Sequence, residues 1–190
     1  RQALGSPYRK YPTVTERIEH RTLRLDADLP VTERADAVAT IAAEESARGV
    51  RKAVAGFDFT FSVPKSASVL WAVSDAGTQS LIADAHHAAV AEMVAFIERE
   101  VAATRVGAAG RNGAVAQADV SGVIATAFDH YDSRAGDPHL HTHVVISNKV
   151  QTVHDGKWRS LDGRPLHAAT VALSELHEAV FADHLTRTFG

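Results

Sequence analysis

From Asp137 to Ile146 the chain runs Asp-Pro-His-Leu-His-Thr-His-Val-Val-Ile, an alternation that suits an extended strand and little else. On a strand His141 and His143 leave one face, and Leu140, Thr142, Val144 and Ile146 leave the other, largely toward a core. Imidazole is a favoured ligand for divalent metals, and two ligands fixed on one strand need only one or two more to complete a site. His130 can supply one. It ends the apolar run Val123-Ile124-Ala125-Thr126-Ala127-Phe128, and the Ser, Arg, Gly, Asp and Pro between Tyr131 and Pro138 suit a connection. If the two runs pair as a hairpin, His130 lies across from His141 or near it. His139 shares the face but sits one step nearer the turn, as a neighbour rather than a ligand. An HxH pair alone is weak evidence for metal, and with 11 histidines some clustering is expected by chance. Three that converge through one hairpin are harder to dismiss.

A second segment alternates in the same way. Gly56-Phe57-Asp58-Phe59-Thr60-Phe61 predicts a half-buried strand with three Phe toward the core and Asp58 and Thr60 on the polar face. Ser62 is expected to cap the helix that follows, with Pro64 in its first turn. An acidic residue on such a face is normally just solvated. Asp58 matters only if its face is the one that carries the histidines, where a carboxylate can orient a ligand imidazole.

Together these blocks resemble a known family. Gly56 to Ser68 (GFDFTFSVPKSAS) is similar to the G-x-D-x-T-F-S-x-P-K-S-x-S block of MobF-type conjugative relaxases, the TrwC/TraI-like members of the HUH endonuclease superfamily. Phe128-Asp129-His130, Ser133-Arg134 and Asp137 to Val145 resemble that family's three-histidine motif, as do Asp155 to Leu161 and the helix beyond. The similarity covers about Val54 to Gly190. It implies an α+β two-layer sandwich, with helices packed on a mostly antiparallel central sheet. It also implies a metal-dependent DNA strand transferase that nicks one strand at an origin of transfer, through a tyrosine that leaves a 5′-phosphotyrosine and a free 3′-OH. By the same resemblance His130, His141 and His143 match the metal ligands and Asp58 matches the assisting carboxylate. The cofactor is one divalent ion (Mg, Mn, Zn or Ni), and the partner is single-stranded DNA at the origin, with other DNA-transfer proteins possible.

One departure from the family pattern concerns the nucleophile. The only tyrosines are Tyr8, Tyr11 and Tyr131, and none forms the paired-tyrosine motif the family carries near its N-terminus. The chain opens with Arg1, and Met93 is its one methionine. The expectation is a single relaxase domain, residues 1–190, without its tyrosine segment and its C-terminal continuation, and unable to nick DNA by itself.

Composition is compatible with this without deciding it. A chain of 190 residues that is 45% hydrophobic can bury one core. The absence of cysteine excludes a disulfide framework and thiolate metal sites, and fits a cytoplasmic location. No apolar run is expected to approach a membrane span. A net charge of −3 argues against a uniformly basic nucleic-acid binder. Arg9, Lys10, Arg17, Arg21, Arg24, Arg48, Arg51 and Lys52 are nevertheless clustered, as a local phosphate groove or as ordinary solvated charge.

Periodicity sketches the remainder. One or two strands are expected over Tyr11–Leu25 and a helix over Thr32–Arg48 that Gly49 stops. Helices are expected over Ser62–Val73 and Ser80–Thr104, and a loop with part of a strand over Val106–Gly122. Central strands are expected over Val120–His130 and Leu140–Val153. A turn at Asp155-Gly156 and a helix over Leu166–Thr188, with Val171, Leu176, Val180 and Leu185 inward, complete the chain. Two rival classes stay open: a cupin-like metal enzyme, against which the long helices argue, and a non-catalytic module that binds single-stranded DNA.

Overall fold

The structure, a computed structural model, describes residues 10–50, 53–107 and 115–190. The chain divides into two compact units, one within Pro7–Val54 and one that spans Ala55–Gly190. Tyr8, Arg9, Arg51 and Lys52 lie outside the described residues.

The smaller unit is a pair of helices, α1 (Val14–Thr22) and α2 (Val31–Ala47). The strands expected over Tyr11–Leu25 are not there. Thr13 and Glu16 form a reciprocal capping box, and this end signal outweighs the β-branched residues that suggested extension. Arg17 and Arg21, one turn apart, both reach the buried Glu45 of α2 at 2.7 and 2.8 Å, and Arg48 joins them at 3.0 Å. Three of the clustered cations are therefore held by one carboxylate rather than arrayed as a phosphate groove. Gly49 follows α2 with φ +67°, the left-handed stop expected of it.

In the larger unit, β1 (Gly56–Ser62), β5 (Pro138–Ser147) and β4 (Ala125–Asp132) form an antiparallel sheet in the order β1-β5-β4. Gly56 has its place because a Cβ there would stand 2.5 Å from the Ile146 carbonyl oxygen across the ladder. The helices are α3 (Lys65–Val73), α4 (Ala76–Phe96), which runs into a π-helical turn at Ile97–Val101, and α5 (Gly163–Phe189). Phe61, Leu140, Val144 and Ile146 project from one face of the sheet. They pack with Val63, Ile82, Val90, Met93, Ile97, Leu166, Leu173 and Phe181. Two short antiparallel pairs complete the unit: β2 (Ala103–Gly107) with β3 (Val115–Asp119), and β6 (Val150–Gln151) with β7 (Trp158–Arg159). Helices on an antiparallel sheet are the expected α+β arrangement and not a jelly roll, which removes the cupin-like reading.

Several local expectations are corrected. Ser62 ends β1 and caps nothing, because Pro64 is the N-cap residue of α3. The long helix begins at Ala76, where Asp75 accepts from the N–H groups of Gly77 and Thr78. It ends before β2, where Thr104 is buried with its hydroxyl on the Ser160 carbonyl. Val106–Gly122 supplies paired strands at its two ends, with 108–114 outside the described residues. The strand expected over Val120–His130 is β4, an edge strand exposed along its whole length rather than a central one. Val171 is 74% exposed, since the buried stripe of α5 is Leu166, Leu173, His177 and Phe181. Finally, Ala76–Val101 has the length and composition of a membrane span, contrary to expectation, but it buries Ile82, Ala85, His86, Ala89, Val90 and Met93 within this fold.

Candidate metal centre

The ladder registers place the site. Asp58 pairs with Val145, Thr60 with His143, and Ser62 with His141 on one side of β5. Thr126 pairs with Val145, Phe128 with His143, and His130 with His141 on the other. Directly opposed residues share a face, so Asp58, Thr60, Ser62, Phe128, His130, His139, His141 and His143 all stand on the sheet face away from the helical core. His130 lies directly opposite His141.

The ring centroids of His130, His141 and His143 stand 5.1, 5.1 and 5.3 Å apart. Three imidazoles bound through one nitrogen each, at about 2.0–2.1 Å from a tetrahedral ion, put their centroids roughly 5 Å apart. The spacing fits one ion. Among the described residues no group of three or more His, Cys, Asp or Glu is placed so that it could hold a metal ion as it stands.

Hydrogen bonds settle which nitrogens are available. His143 Nδ1 lies 2.9 Å from Asp58 Oδ2, and a carboxylate can only accept, so Nδ1 carries the proton and Nε2 keeps its lone pair. Thr60 Oγ1 stands 3.2 Å from the same nitrogen. His141 Nδ1 donates to the His139 carbonyl at 2.8 Å, which frees its Nε2 in the same way. These are the partners that hold ligand imidazoles in one tautomer and one orientation. His139 contacts His141 at 4.7 Å between centroids, and its Nε2 meets Ser62 Oγ at 3.2 Å. Burial lowers the pKa of His139, with His141 and Lys65 adding to the effect.

Tyr131 is not among these groups. Its ring stacks on Trp71 at 5.2 Å and 13°, and Trp71, itself partly buried, packs against the apolar cluster behind the sheet. Two features of the face escaped the sequence reading. One is Thr60 as a second partner of His143, which the period of two already places beside Asp58. The other is Phe128, 52% exposed two residues before His130, which looked like part of a buried run.

A family profile described as TrwC relaxase matches residues 2–190. The multifunctional conjugation protein TraI of Escherichia coli is 40% identical over 113 residues, which is 60% of this chain and 6% of that protein. The solved structure of conjugative relaxase TrwC in complex with oriT DNA, metal-free, superposes with a TM-score of 0.64 at 33% identity, and covers 72% of this chain and 46% of that one. The metal-bound structure of the same complex gives 0.64 and 33%, over 72% and 45%. The chain thus spans a small part of the curated relative and under half of each solved chain.

Proposed function

The chain belongs to the TrwC relaxase family, and on that premise we propose that its histidine face is the metal centre of a site- and strand-specific DNA nicking and strand-transfer reaction at an origin of transfer, with single-stranded DNA as the substrate. The observation that carries this is the set of three imidazoles at a mutual spacing near 5 Å, two of them held with Nε2 free. The TrwC complexes with oriT DNA, one metal-free and one metal-bound, support the choice of substrate and of cofactor.

His130, His141 and His143 would hold the ion, each through one ring nitrogen. A divalent ion there supplies Lewis-acid charge to a phosphodiester oxygen. Nitrogen ligands favour Zn, Ni or Mn over Mg in affinity. Asp58 acts through His143: it accepts a hydrogen bond from Nδ1–H, fixes the ring, and makes Nε2 a better donor. The face lies open beside these residues, and the exposed ring of Phe128 offers a surface on which a base can stack.

Attack on the phosphate needs an aligned nucleophile, in this family a tyrosine. Tyr131 is engaged with Trp71, and the 190 residues hold no paired-tyrosine motif. The chain alone therefore binds metal and strand without forming a covalent adduct. The cytoplasm, where plasmid DNA is processed, is the proposed location.

Two measurements test this reading. Zinc titration calorimetry should show one site in the wild type and a large loss in His141→Ala and His143→Ala. Wild-type affinity in both variants would remove these residues from the centre. A labelled single-stranded origin oligonucleotide incubated with the chain should run unshifted in a denaturing gel. A covalent band lost in Tyr8→Phe, Tyr11→Phe or Tyr131→Phe would place the nucleophile inside the chain.

A further inference from the structure

Behind the histidine face runs a chain of polar side chains that links the helical core to the edge strand. Thr142 Oγ1 donates to Asp129 Oδ1 at 2.6 Å, across the β5–β4 ladder. His86 Nε2, on α4, lies 2.9 Å from the same hydroxyl oxygen, and His177 Nε2, on α5, lies 3.3 Å from His86 Nδ1. His87 Nε2 meets the other Asp129 oxygen at 3.0 Å. His86, Thr142 and His177 are each at most 1% exposed.

The protons of this chain can be assigned. A threonine hydroxyl has one hydrogen, and the carboxylate beside it can only accept, so that hydrogen goes to Asp129. The hydroxyl oxygen then accepts from His86, which fixes His86 as the Nε2–H tautomer with Nδ1 as an acceptor. His177 in turn donates through Nε2–H. Every bond points the same way, from α5 through α4 and β5 to β4. Burial holds both histidines neutral at pH 7, and the neighbouring His177 and His87 push His86 further in the same direction.

The chain ends where β4 is least determined. All eight residues of β4 are exposed, so burial does not select its register. The regular ladder with β5 stops at the His130–His141 pair, and a register shift follows between His130 and Asp132. The next pair is Asp132 with Pro138, which has no N–H to give. Asp129–Thr142 is the side-chain link one residue before that irregularity, on the opposite face.

We propose that Thr142 and Asp129, held by His86 and His177, are positioning residues that lock the register of β4 and so keep His130 opposite His141. The role in metal binding rests on the metal centre proposed above; the role in register does not.

The test uses the 190-residue chain. In the metal-free wild type, NMR should show the cross-strand contact between His130 and His141, and long-range ¹⁵N–¹H spectra should show His86 as Nε2–H. Thr142→Val removes the hydroxyl at nearly constant volume and should lose both signals. Its zinc affinity should fall by about 10–100-fold, as for other outer partners of metal ligands. Thr142→Ser should restore all three. Asp129→Ala tests the same link at a side chain that is 33% exposed, so folding is not at stake if Thr142→Val unfolds. It should lose the cross-strand contact and zinc affinity at an unfolding midpoint close to wild type. An intact His130–His141 contact in Asp129→Ala or in folded Thr142→Val would overturn the inference, whatever zinc does. If both variants lose the contact while even the wild type fails to bind zinc, the positioning role stands and the metal centre falls.

Discussion

The buried histidine pair predicts a specific acid weakness. His86 and His177 have their pKa values pushed down to about 4 in the fold, chiefly by burial, against about 6.5 in an unfolded chain. The groups that face them are His87, Asp129 and His141 around His86, with each histidine beside the other. Because the folded values are depressed, the unfolded chain binds more protons between pH 6.5 and 4. Stability is therefore complete above about 6.5 and is lost as the pH falls toward 4. At pH 5 each histidine should cost about 2 kcal/mol relative to pH 7, by the relation of about 1.36 kcal/mol per pKa unit. His139, also depressed, acts in the same direction. Most carboxylates are still ionised at pH 5, so the window isolates the histidines. The assay is urea unfolding followed by circular dichroism, at pH 7 and pH 5, with a chelator present to remove any metal contribution. The control is His177→Gln, whose amide can still donate to His86 Nδ1 but carries no charge at either pH. It should unfold with about 2 kcal/mol less pH dependence than wild type. Equal pH dependence in the two proteins would show that His177 does not remain neutral in the fold.

Asp58→Asn should weaken zinc binding about 10–100-fold with the fold intact, by calorimetry alongside circular dichroism; unchanged affinity would leave Asp58 without a role. Asp75→Ala, by contrast, should leave zinc affinity alone and cost about 1 kcal/mol of stability in urea unfolding, because Asp75 is the N-cap of α4. Glu45, whose pKa is lowered to about 2 chiefly by hydrogen bonds from Arg17 and Arg21, should contribute stability that is lost as pH falls from 4.5 toward 2. Glu45→Gln should remove that acid step from a helicity titration, and its persistence would point to another group. Phe128→Ala should lower affinity for single-stranded DNA by about 1–3 kcal/mol in fluorescence anisotropy. No change would exclude stacking on this ring.

What was legible in the sequence was what depends on a short period. Alternation along 137–146 and 56–61 is a local property, so the common face of His141 and His143, and that of Asp58 and Thr60, followed from spacing, whereas the β1–β5 and β4–β5 ladders are what join these faces into one and bring His130 across. What was hidden depends on partners distant in sequence. The segment of α1 looks extended until Glu45 is supplied from α2 to hold Arg17 and Arg21; only its capping box, Thr13 with Glu16, is a local signal. His86 and His177 sit in helices where a histidine ordinarily faces water, and only the joint packing of α4, α5 and β5 buries them. β4 looks like a core strand because the apolar run Val123–Phe128 leads into it, yet its place at the sheet edge leaves it exposed, which is a property of topology. The N-cap of α4 at Asp75 was hidden because the helix starts at Ala76, four residues before the Ser80 start that periodicity suggested.

The division of β5 into two alternating sets has a consequence for how such a site can change over evolutionary time. Leu140, Thr142, Val144 and Ile146 answer to the interior, while His139, His141, His143 and Val145 answer to the open face. Point substitution can exchange the side chains displayed on the open face, and with them the chemistry of the proposed metal centre, while the interior set stays as it is. Insertion or deletion of one residue within the strand does the opposite: it drives imidazoles into the interior and aliphatic side chains onto the open face. Lineages that carry this strand should therefore vary freely in the chemistry they display on it and hardly at all in its length.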